Sequence, residues 1–274
     1  MKRSIHVYAM EVPLTFQDKW GNTVSAILSS PDEASDTSRT AVILCHGFLS
    51  HKNSTTNRTL TRLLSGQGLT TFRFDFFGQG ESDGPFENIT TSLAVEQTNA
   101  AISTVLSGGY TTLGLVGSSF GGLVSILTAS QRPDISCLAL KCPVVDFAEE
   151  LRLEFGAEEM ARWQSAGTIP NILGGKERIR LKYSMYEDCL QHIAYGPAGS
   201  ITAPTLIVQG QKDELIPFHQ SQRLFDSLKS RKRMDVLPDA DHQFTRGDDF
   251  RAMTDSIAEW LVMHLVPSRA PRQG

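Results

Sequence analysis

Gly117-Ser118-Ser119-Phe120-Gly121 is the stretch of this sequence that decides the fold. The residues before it are apolar and β-branched, as in a buried strand, and those after it are small and apolar, as in a helix. So tight a turn between strand and helix leaves no room for side chains two positions either side of its central residue. Gly117 and Gly121 occupy those positions around Ser119, which predicts a strained turn with the Ser119 hydroxyl exposed at the strand end.

Outside this stretch, short β-branched runs alternate with segments of helical period. That alternation is typical of a mostly parallel sheet with helices on both faces. The predicted strands are residues 7–16, 24–29, 41–45, 70–74, 112–116, 137–141, 205–209 and 234–237, the first two joined by a hairpin-like turn. The predicted helices are residues 55–65, 91–106, 120–130 and 220–229, with a last helix whose apolar face carries Phe250, Met253, Ile257, Trp260, Leu261 and His264. We therefore expect one α/β domain with an eight-stranded sheet.

Residues 146–200 interrupt the alternation. They contain no convincing strand and are rich in charged, aromatic and helix-forming residues. A structureless loop of that length is uncommon in a compact domain. We therefore expect a helical insertion over one end of the sheet, with residues 1–145 and 201–274 forming the single core domain.

Length and composition narrow the functional class. The chain has 274 residues and a net charge of −4, which gives no basic surface for nucleic acid. No segment approaches the roughly 20 apolar residues of a membrane helix, and residues 1–16 do not have the pattern of a signal peptide. The four cysteines suit buried, reduced thiols, and no Cys or His pair has the spacing of a zinc site. These features predict a cytoplasmic location, no metal and no cofactor.

Ser119 is the candidate nucleophile, and Ser118 is its rival. Ser118 has Val116 and Phe120 two positions away, so it fails the steric requirement of the turn. A serine hydroxyl is a poor nucleophile at neutral pH and needs an adjacent base.

Seven histidines compete for the role of base. In folds of this kind the chain order is serine, acid, histidine, which leaves His192, His219, His242 and His264. The last of these lies on the apolar face of the final helix, while His219 begins a helix and His192 lies in the insertion. His242 follows the last predicted strand in a loop at the same sheet edge as Ser119, so it is the candidate base.

The acid must accept a hydrogen bond from the imidazole and fix its tautomer. Asp213 follows the strand at 205–209 and precedes His242, so it lies at the correct edge. Asp146, after the preceding strand, stays open as the alternative.

An oxyanion needs two fixed N–H donors. One candidate is the backbone N–H of Phe120, directly after the nucleophile. The other is the backbone N–H of Phe48, in the loop after the strand at 41–45, where Gly47 permits close approach of the chain.

Several of these segments together resemble the α/β-hydrolase superfamily: His46-Gly47-Phe48, residues 75–82, residues 117–122, residues 210–213 and Ala240-Asp241-His242. Residues 75–86 are similar to a segment of bacterial feruloyl/cinnamoyl esterases and related serine-aminopeptidase-like hydrolases. The resemblance covers about residues 11–265 and is weakest in the insertion. Many members have His where this chain has Gln79 and Ser118, two positions outside the triad.

The resemblance implies that residues 146–200 form a lid over the acyl pocket. Aromatic and apolar residues in this segment are the candidate pocket walls, namely Phe147, Phe155, Trp163, Tyr183, Met185 and Tyr186.

Together these observations predict a serine hydrolase, most simply a carboxylesterase, that cleaves a small-molecule ester with a short-chain or aromatic acyl group. Nucleic acid and membrane are not expected as partners, and a homodimer stays open. Three alternatives remain. The first is a peptidase or amidase, which uses the same triad and would hold a substrate amine with an acidic group in the insertion. The second is a hydrolase of carbon–carbon bonds, which uses the same residues. The third is a receptor, which retains the fold but does not turn over a substrate.

Overall fold

The computed structural model describes residues 10–31, 37, 39–172 and 178–267. Its strands are β1 (Met10–Gln17), β2 (Thr23–Ser30), β3 (Thr40–Cys45), β4 (Thr70–Phe74), β5 (Thr112–Ser118), β6 (Ile135–Lys141), β7 (Thr168–Ile169), β8 (Leu181–Lys182), β9 (Thr205–Gly210) and β10 (Lys232–Leu237). The helices are α1 (Thr55–Ser65), α2 (Thr91–Ser107), α3 (Phe120–Gln131), α4 (Phe147–Ala166), α5 (Ser184–Cys189), α6 (Tyr195–Ala198), α7 (Phe218–Ser227) and α8 (Gly247–Leu265). A short 3-10 turn spans Phe86–Asn88.

The main sheet has eight strands in the order β1-β2-β4-β3-β5-β6-β9-β10. The pairs β1–β2 and β2–β4 are antiparallel, and every pair from β4 to β10 is parallel. The predicted eight-stranded, mostly parallel sheet is therefore confirmed. β3 is buried along its whole length, as expected for a central strand covered on both faces.

Two apolar clusters cover the two faces of the sheet. One contains side chains of α2 and α3, such as Ile102 and Leu123, and the other contains side chains of α1 and α8, such as Leu60 and Ile257. Helices therefore lie on both faces, as predicted. No helix in the described residues is long and apolar enough to cross a membrane.

The insertion is mostly helical but contains a small two-stranded sheet that the sequence did not predict. β7 and β8 pair antiparallel, two residues each. A two-residue strand is too short to show an alternating pattern, so only the pairing itself defines it. Within α4 the backbone leaves helical geometry at Gly156, where φ is 69°. Residues 173–177 of the insertion lie outside the described residues.

Gln220 of α7 fastens the start of the insertion to the core. Its side-chain oxygen accepts hydrogen bonds from the backbone N–H groups of Val145 (2.9 Å) and Asp146 (3.1 Å). The carboxylate of Asp146 in turn caps α4 by accepting from the N–H of Glu149 at 2.9 Å. These bonds fix the direction in which α4 leaves the sheet.

Gly121 is the position at which α3 packs directly on the end of β3. A Cβ added there would fall onto the carbonyl oxygens of Cys45 and His46. We expect Gly121→Ala to lower the free energy of unfolding by about 1–3 kcal/mol or more, because the backbone must shift to admit the methyl group. Gly196→Ala is the matched control, since a Cβ there meets open space. Urea denaturation measures both, and an equal midpoint for the two variants would contradict this packing account.

Candidate active site

Ser119 lies in the strained turn between β5 and α3. Its backbone has φ 52° and ψ −117°, a left-handed conformation that is rare for residues other than glycine. A Cβ on Gly117 would fall onto the carbonyl oxygen of Gly121, which explains the glycine at this position. The predicted steric reason for the motif is thus visible in the structure.

The turn is anchored by the hydrogen bonds of its own backbone. The N–H of Ser119 donates to the carbonyl of Lys141 at 2.9 Å. The carbonyl of Ser119 accepts from the N–H groups of Gly122 (2.8 Å) and Val144 (3.1 Å). Strained backbone persists only where its surroundings over-determine it, and these bonds supply that support.

His242 and Asp213 form a buried pair at the same sheet edge. The Nδ1 atom of His242 lies 3.0 Å and 2.9 Å from the two carboxylate oxygens of Asp213. The two side chains are 3% and 1% exposed. With Nδ1 carrying the proton, Nε2 of His242 is left as an acceptor.

The Asp213 carboxylate is held by further donors. Gln209 donates its amide to Oδ2 at 2.9 Å, while the N–H groups of Leu215 and Ile216 donate to Oδ1 at 3.0 Å and 2.8 Å. Burial alone would raise the pKa of Asp213, but the hydrogen bond and charge of His242, with the N–H of Ile216, lower it below its usual value. Asp213 is therefore stabilised as the carboxylate.

Ser119 and His242 face one cavity of about 760 Å³. The hydrogen bonds that the structure describes for the His242 ring go to Asp213, and none joins this ring to Ser119. Catalytic hydrogen bonds often tighten only when substrate binds, so the lack of a described bond between the two side chains is compatible with a nucleophile and its base.

The two candidate oxyanion donors also face this cavity. Phe48 and Phe120 both line it, and a Cβ on Gly47 would lie 3.4 Å from that of Ser119. Neither the N–H of Phe48 nor that of Phe120 donates to another group within the described residues. The two predicted donors are thus brought together beside Ser119 with their N–H groups free.

His46 braces the loop that carries Phe48, a role that sequence reasoning missed. Its Nε2 accepts from the N–H of Phe76 at 3.0 Å, so Nδ1 carries the proton and donates to the carbonyl of Gly47 at 2.8 Å. Burial lowers the pKa of His46 to about 4, so the ring is neutral near pH 7. Its place directly after β3 was the available signal.

Two of the six predicted pocket residues line the cavity, namely Phe147 and Phe155. The cavity lining does not include the other four, which are Trp163, Tyr183, Met185 and Tyr186. Instead they pack behind the lining. The Trp163 ring lies 5.7 Å from Phe155 and 5.5 Å from Tyr183, and its Nε1 donates to a backbone carbonyl at 3.0 Å. The structure therefore gives these four a packing position rather than a place in the wall.

Several lining residues were not predicted. On α4 these are Glu150, Leu151 and Glu154, which lie at helical spacing on the same face as the predicted Phe147 and Phe155. Extending that face by three and four residues from Phe147 would have found them. Other lining residues come from distant segments and carry no sequence signal, namely Ile172, Leu181, Leu215, Ile216, Phe244, Thr245 and Phe250.

The alternative acid and the other three candidate histidines occupy other positions. Asp146 is used as the cap of α4. His192 bonds the hydroxyl of Ser92 at 2.7 Å, His219 contacts Glu149 at 3.1 Å, and Nδ1 of His264 bonds the carbonyl of Trp260 at 2.8 Å. None of these three histidines lines the cavity.

Cys142, Asp213 and His242 are close enough to hold a metal ion, with their ligand atoms within 4.8 Å of one another. A metal would require Nδ1 of His242, which is bonded to Asp213, and a thiolate. Burial raises the pKa of the Cys142 thiol, which opposes its ionisation. The donor set therefore suits a hydrogen-bonded cluster better than a metal centre.

The neutral state of His46 makes folding stability depend on pH. Between pH 6.5 and about 4 the unfolded chain binds a proton at this ring that the folded chain refuses, so stability falls as the pH falls. We expect wild type to lose up to about 3 kcal/mol more than His46→Gln across this window. Urea denaturation at half-unit pH steps measures the difference. Parallel stability curves for the two proteins would contradict the assignment.

The chain matches a known protein family and known proteins in sequence. Residues 36–173 match the model of the family described as serine aminopeptidase, S33. The palmitoyl-protein thioesterase ABHD10, mitochondrial, of Bos taurus is 23% identical over 80% of this chain and 72% of that protein. A monoacylglycerol lipase of Mycolicibacterium smegmatis is 22% identical over 83% of this chain and 89% of that protein.

Solved structures agree on the fold. Est1E from Butyrivibrio proteoclasticus, solved with ferulic acid bound, has a TM-score of 0.81 and 21% identity, covering 93% of this chain and all of that chain. Mouse alpha/beta hydrolase domain-containing protein 10 has a TM-score of 0.77 and 19% identity, covering 92% of this chain. The predicted α/β-hydrolase fold is confirmed, and the two relatives compared above by sequence are a thioesterase and a lipase by name. Because the family model spans half of its length, the chain belongs to the serine aminopeptidase S33 family of the α/β-hydrolase superfamily.

Proposed function

We propose that this protein is a serine hydrolase that cleaves carboxylic esters through an acyl-enzyme on Ser119. The observation that carries the proposal is one cavity lined by the strained Ser119 and by His242, which is paired with the buried carboxylate of Asp213. Phe48 and Phe120 line the same cavity, and their backbone N–H groups donate to no other group within the described residues. Nucleophile, base, orienting acid and oxyanion donors are the parts that acyl transfer requires.

In this mechanism Nε2 of His242 takes the Ser119 proton as Oγ attacks the ester carbonyl. The N–H groups of Phe48 and Phe120 stabilise the negative charge on the carbonyl oxygen. His242 then protonates the departing alcohol and afterwards activates the water that releases the acid. Asp213 stays ionised throughout, in line with its lowered pKa.

We further propose that residues 146–200 act as a lid on a core formed by residues 1–145 and 201–274. The rings of Phe147, Phe48 and Phe120 are in mutual contact, with the centroid of Phe147 5.3 Å and 5.4 Å from the other two. The first turn of α4 thus lies against both oxyanion donors, and its next turns continue the wall. An acyl group bound to Ser119 would lie along this helix.

The wall favours an apolar or aromatic acyl group. Phe147, Leu151, Phe155 and Leu181 line the cavity on the side of the insertion, and Ile216 lines it from the core. Relatives include a thioesterase named for palmitoyl-protein, a monoacylglycerol lipase and a structure with ferulic acid, so acyl chains and aromatic acids both belong in a substrate panel. The cytoplasmic location and the homodimer stay predictions from the sequence.

Aminopeptidase activity is the second candidate, since Glu150 and Glu154 line the same cavity. Two carboxyl groups suit a substrate amine. However, burial and the neighbouring Glu154 raise the pKa of Glu150 to about 8, which makes it a neutral acid near pH 7. The present geometry therefore favours esters, and an amine would have to ionise Glu150 on binding.

The first test compares wild type, Ser119→Ala and Ser118→Ala on p-nitrophenyl esters of graded chain length, methyl ferulate, an acyl thioester and aminoacyl-p-nitroanilides. We expect ester turnover, a loss of at least about 10³-fold in kcat for Ser119→Ala, and retention of most activity in Ser118→Ala. Preferential turnover of the anilides would move the protein to the peptidases. Ester turnover that survives Ser119→Ala would refute the proposed mechanism.

A second test addresses the acyl wall. Phe155→Ala enlarges the cavity, so we expect the ratio of kcat/KM values to shift towards bulkier acyl groups. Tyr186→Phe is the control, because Tyr186 lies behind the lining and keeps its ring. The two variants are compared on the same ester panel. Unchanged selectivity in Phe155→Ala would contradict the placement of the acyl group along α4.

A further inference from the structure

Lys141 is a buried cation beside the proposed catalytic residues that the mechanism above does not use. It is the last residue of β6, is 5% exposed and lines the cavity. In the sheet it is paired with Ser118 of β5 on one side and Val208 of β9 on the other. It therefore lies between the strand that leads to Ser119 and the strand that leads to Asp213.

Lys141 is hydrogen-bonded to both Ser119 and His242, the two partners in the proposed proton transfer. The backbone carbonyl of Lys141 accepts the N–H of Ser119 at 2.9 Å. Its side-chain Nζ donates to the backbone carbonyl of His242 at 2.7 Å. The first bond fixes the nucleophile to β6, and the second fixes the base to the same residue.

The second bond matters because little else holds the His242 backbone. The N–H of His242 donates to the carboxylate of Glu214 at 3.1 Å, and the ring of Phe244 lies 5.3 Å from Nζ of Lys141. Without the ammonium group, the carbonyl of His242 would lose its partner inside the protein. A loop that shifts to resolve this would carry the imidazole away from Ser119.

The ammonium group of Lys141 lies among acidic groups of the site. Burial lowers its pKa, while Cys142 and the carboxyl groups of Asp213, Asp241 and Glu214 act in the opposite direction. These groups come from the segment after β6, the loop after β9 and the loop that carries His242. They favour the charged ammonium form, which donates to the carbonyl of His242.

We propose that Lys141 is the positioning residue that holds the backbone of His242 in place relative to Ser119. The proposal rests on the acyl-enzyme function proposed above. Lys141 acts through His242 and needs no contact with the substrate. It joins the two halves of the site, which come from segments more than a hundred residues apart, through one side chain.

The test uses the full-length chain with Lys141→Ala. For the preferred ester we expect kcat to fall about 10- to 100-fold with KM little changed, since a small misplacement of a catalytic group has effects of this size. If Lys141→Ala does not fold, the test uses Lys141→Met instead, because methionine keeps the shape of the lysine side chain without its ammonium group.

Lys232→Met is the matched control for a purely structural role. Nζ of Lys232 also donates to backbone carbonyls, those of Phe225 (2.6 Å) and Leu228 (2.8 Å), and it does not line the cavity. We expect this variant to lose stability but to keep the kcat of wild type. Addition of n-propylammonium, which has the three carbons and the charge that the substitution removes, should partly restore kcat in Lys141→Ala, whereas tert-butylammonium, with the same charge and the wrong shape, should not.

The rate at which a fluorophosphonate labels Ser119 gives a readout that needs no substrate. Slower labelling in Lys141→Ala than in Lys232→Met supports the proposal even when no ester in the panel is turned over. Wild-type kcat and a wild-type labelling rate in a folded Lys141→Ala would overturn it. A Ser119→Ala variant that keeps ester turnover would instead refute the proposed function, so the two failures are distinguishable.

Discussion

The close approach of α3 to the end of β3 is the constraint on which the site depends. Gly121 lies against the carbonyl oxygens of Cys45 and His46, and Gly117 lies against Gly121. Without side chains at these positions the helix can begin directly after the strand, and Ser119 is held in its left-handed conformation. The same contact brings the loop with Phe48 beside Ser119. One packing arrangement therefore places both the nucleophile and its candidate oxyanion donors.

The remaining site residues are fixed to this turn by hydrogen bonds rather than by packing. Asp213 is held by Gln209 and the backbone after it, His242 by Asp213 and Lys141, and the loop of Phe48 by His46. The bond from Lys141 to His242 is buried and the others are partly buried, which raises the cost of an unpaired group. These bonds hold the core side of the site together, and α4 of the insertion supplies the wall beside it.

The sequence predicted the sheet and the triad candidates because both have strong local signals. β4 and α1 begin and end at the predicted residues, and Ser119, Asp213 and His242 each follow a recognisable strand. The insertion was harder. Trp163 and Tyr183 have the composition of a pocket wall, but they pack behind Phe155 because a kink at Gly156 and the β7–β8 pairing determine which side chains face the cavity. Lys141 was missed because its partner in His242 is distant in sequence and visible only in the fold.

In the proposed mechanism, Ser119 carries the acyl group during turnover. The most direct measurement is rapid acid quenching during hydrolysis of a p-nitrophenyl ester, followed by peptide mass spectrometry. We expect the peptide that contains Ser119 to be heavier by the mass of the acyl group. Its fragment ions should assign the acyl group to Ser119 rather than to Ser118. An acyl group on another residue, or steady turnover with no covalent adduct under conditions that slow deacylation, would contradict it.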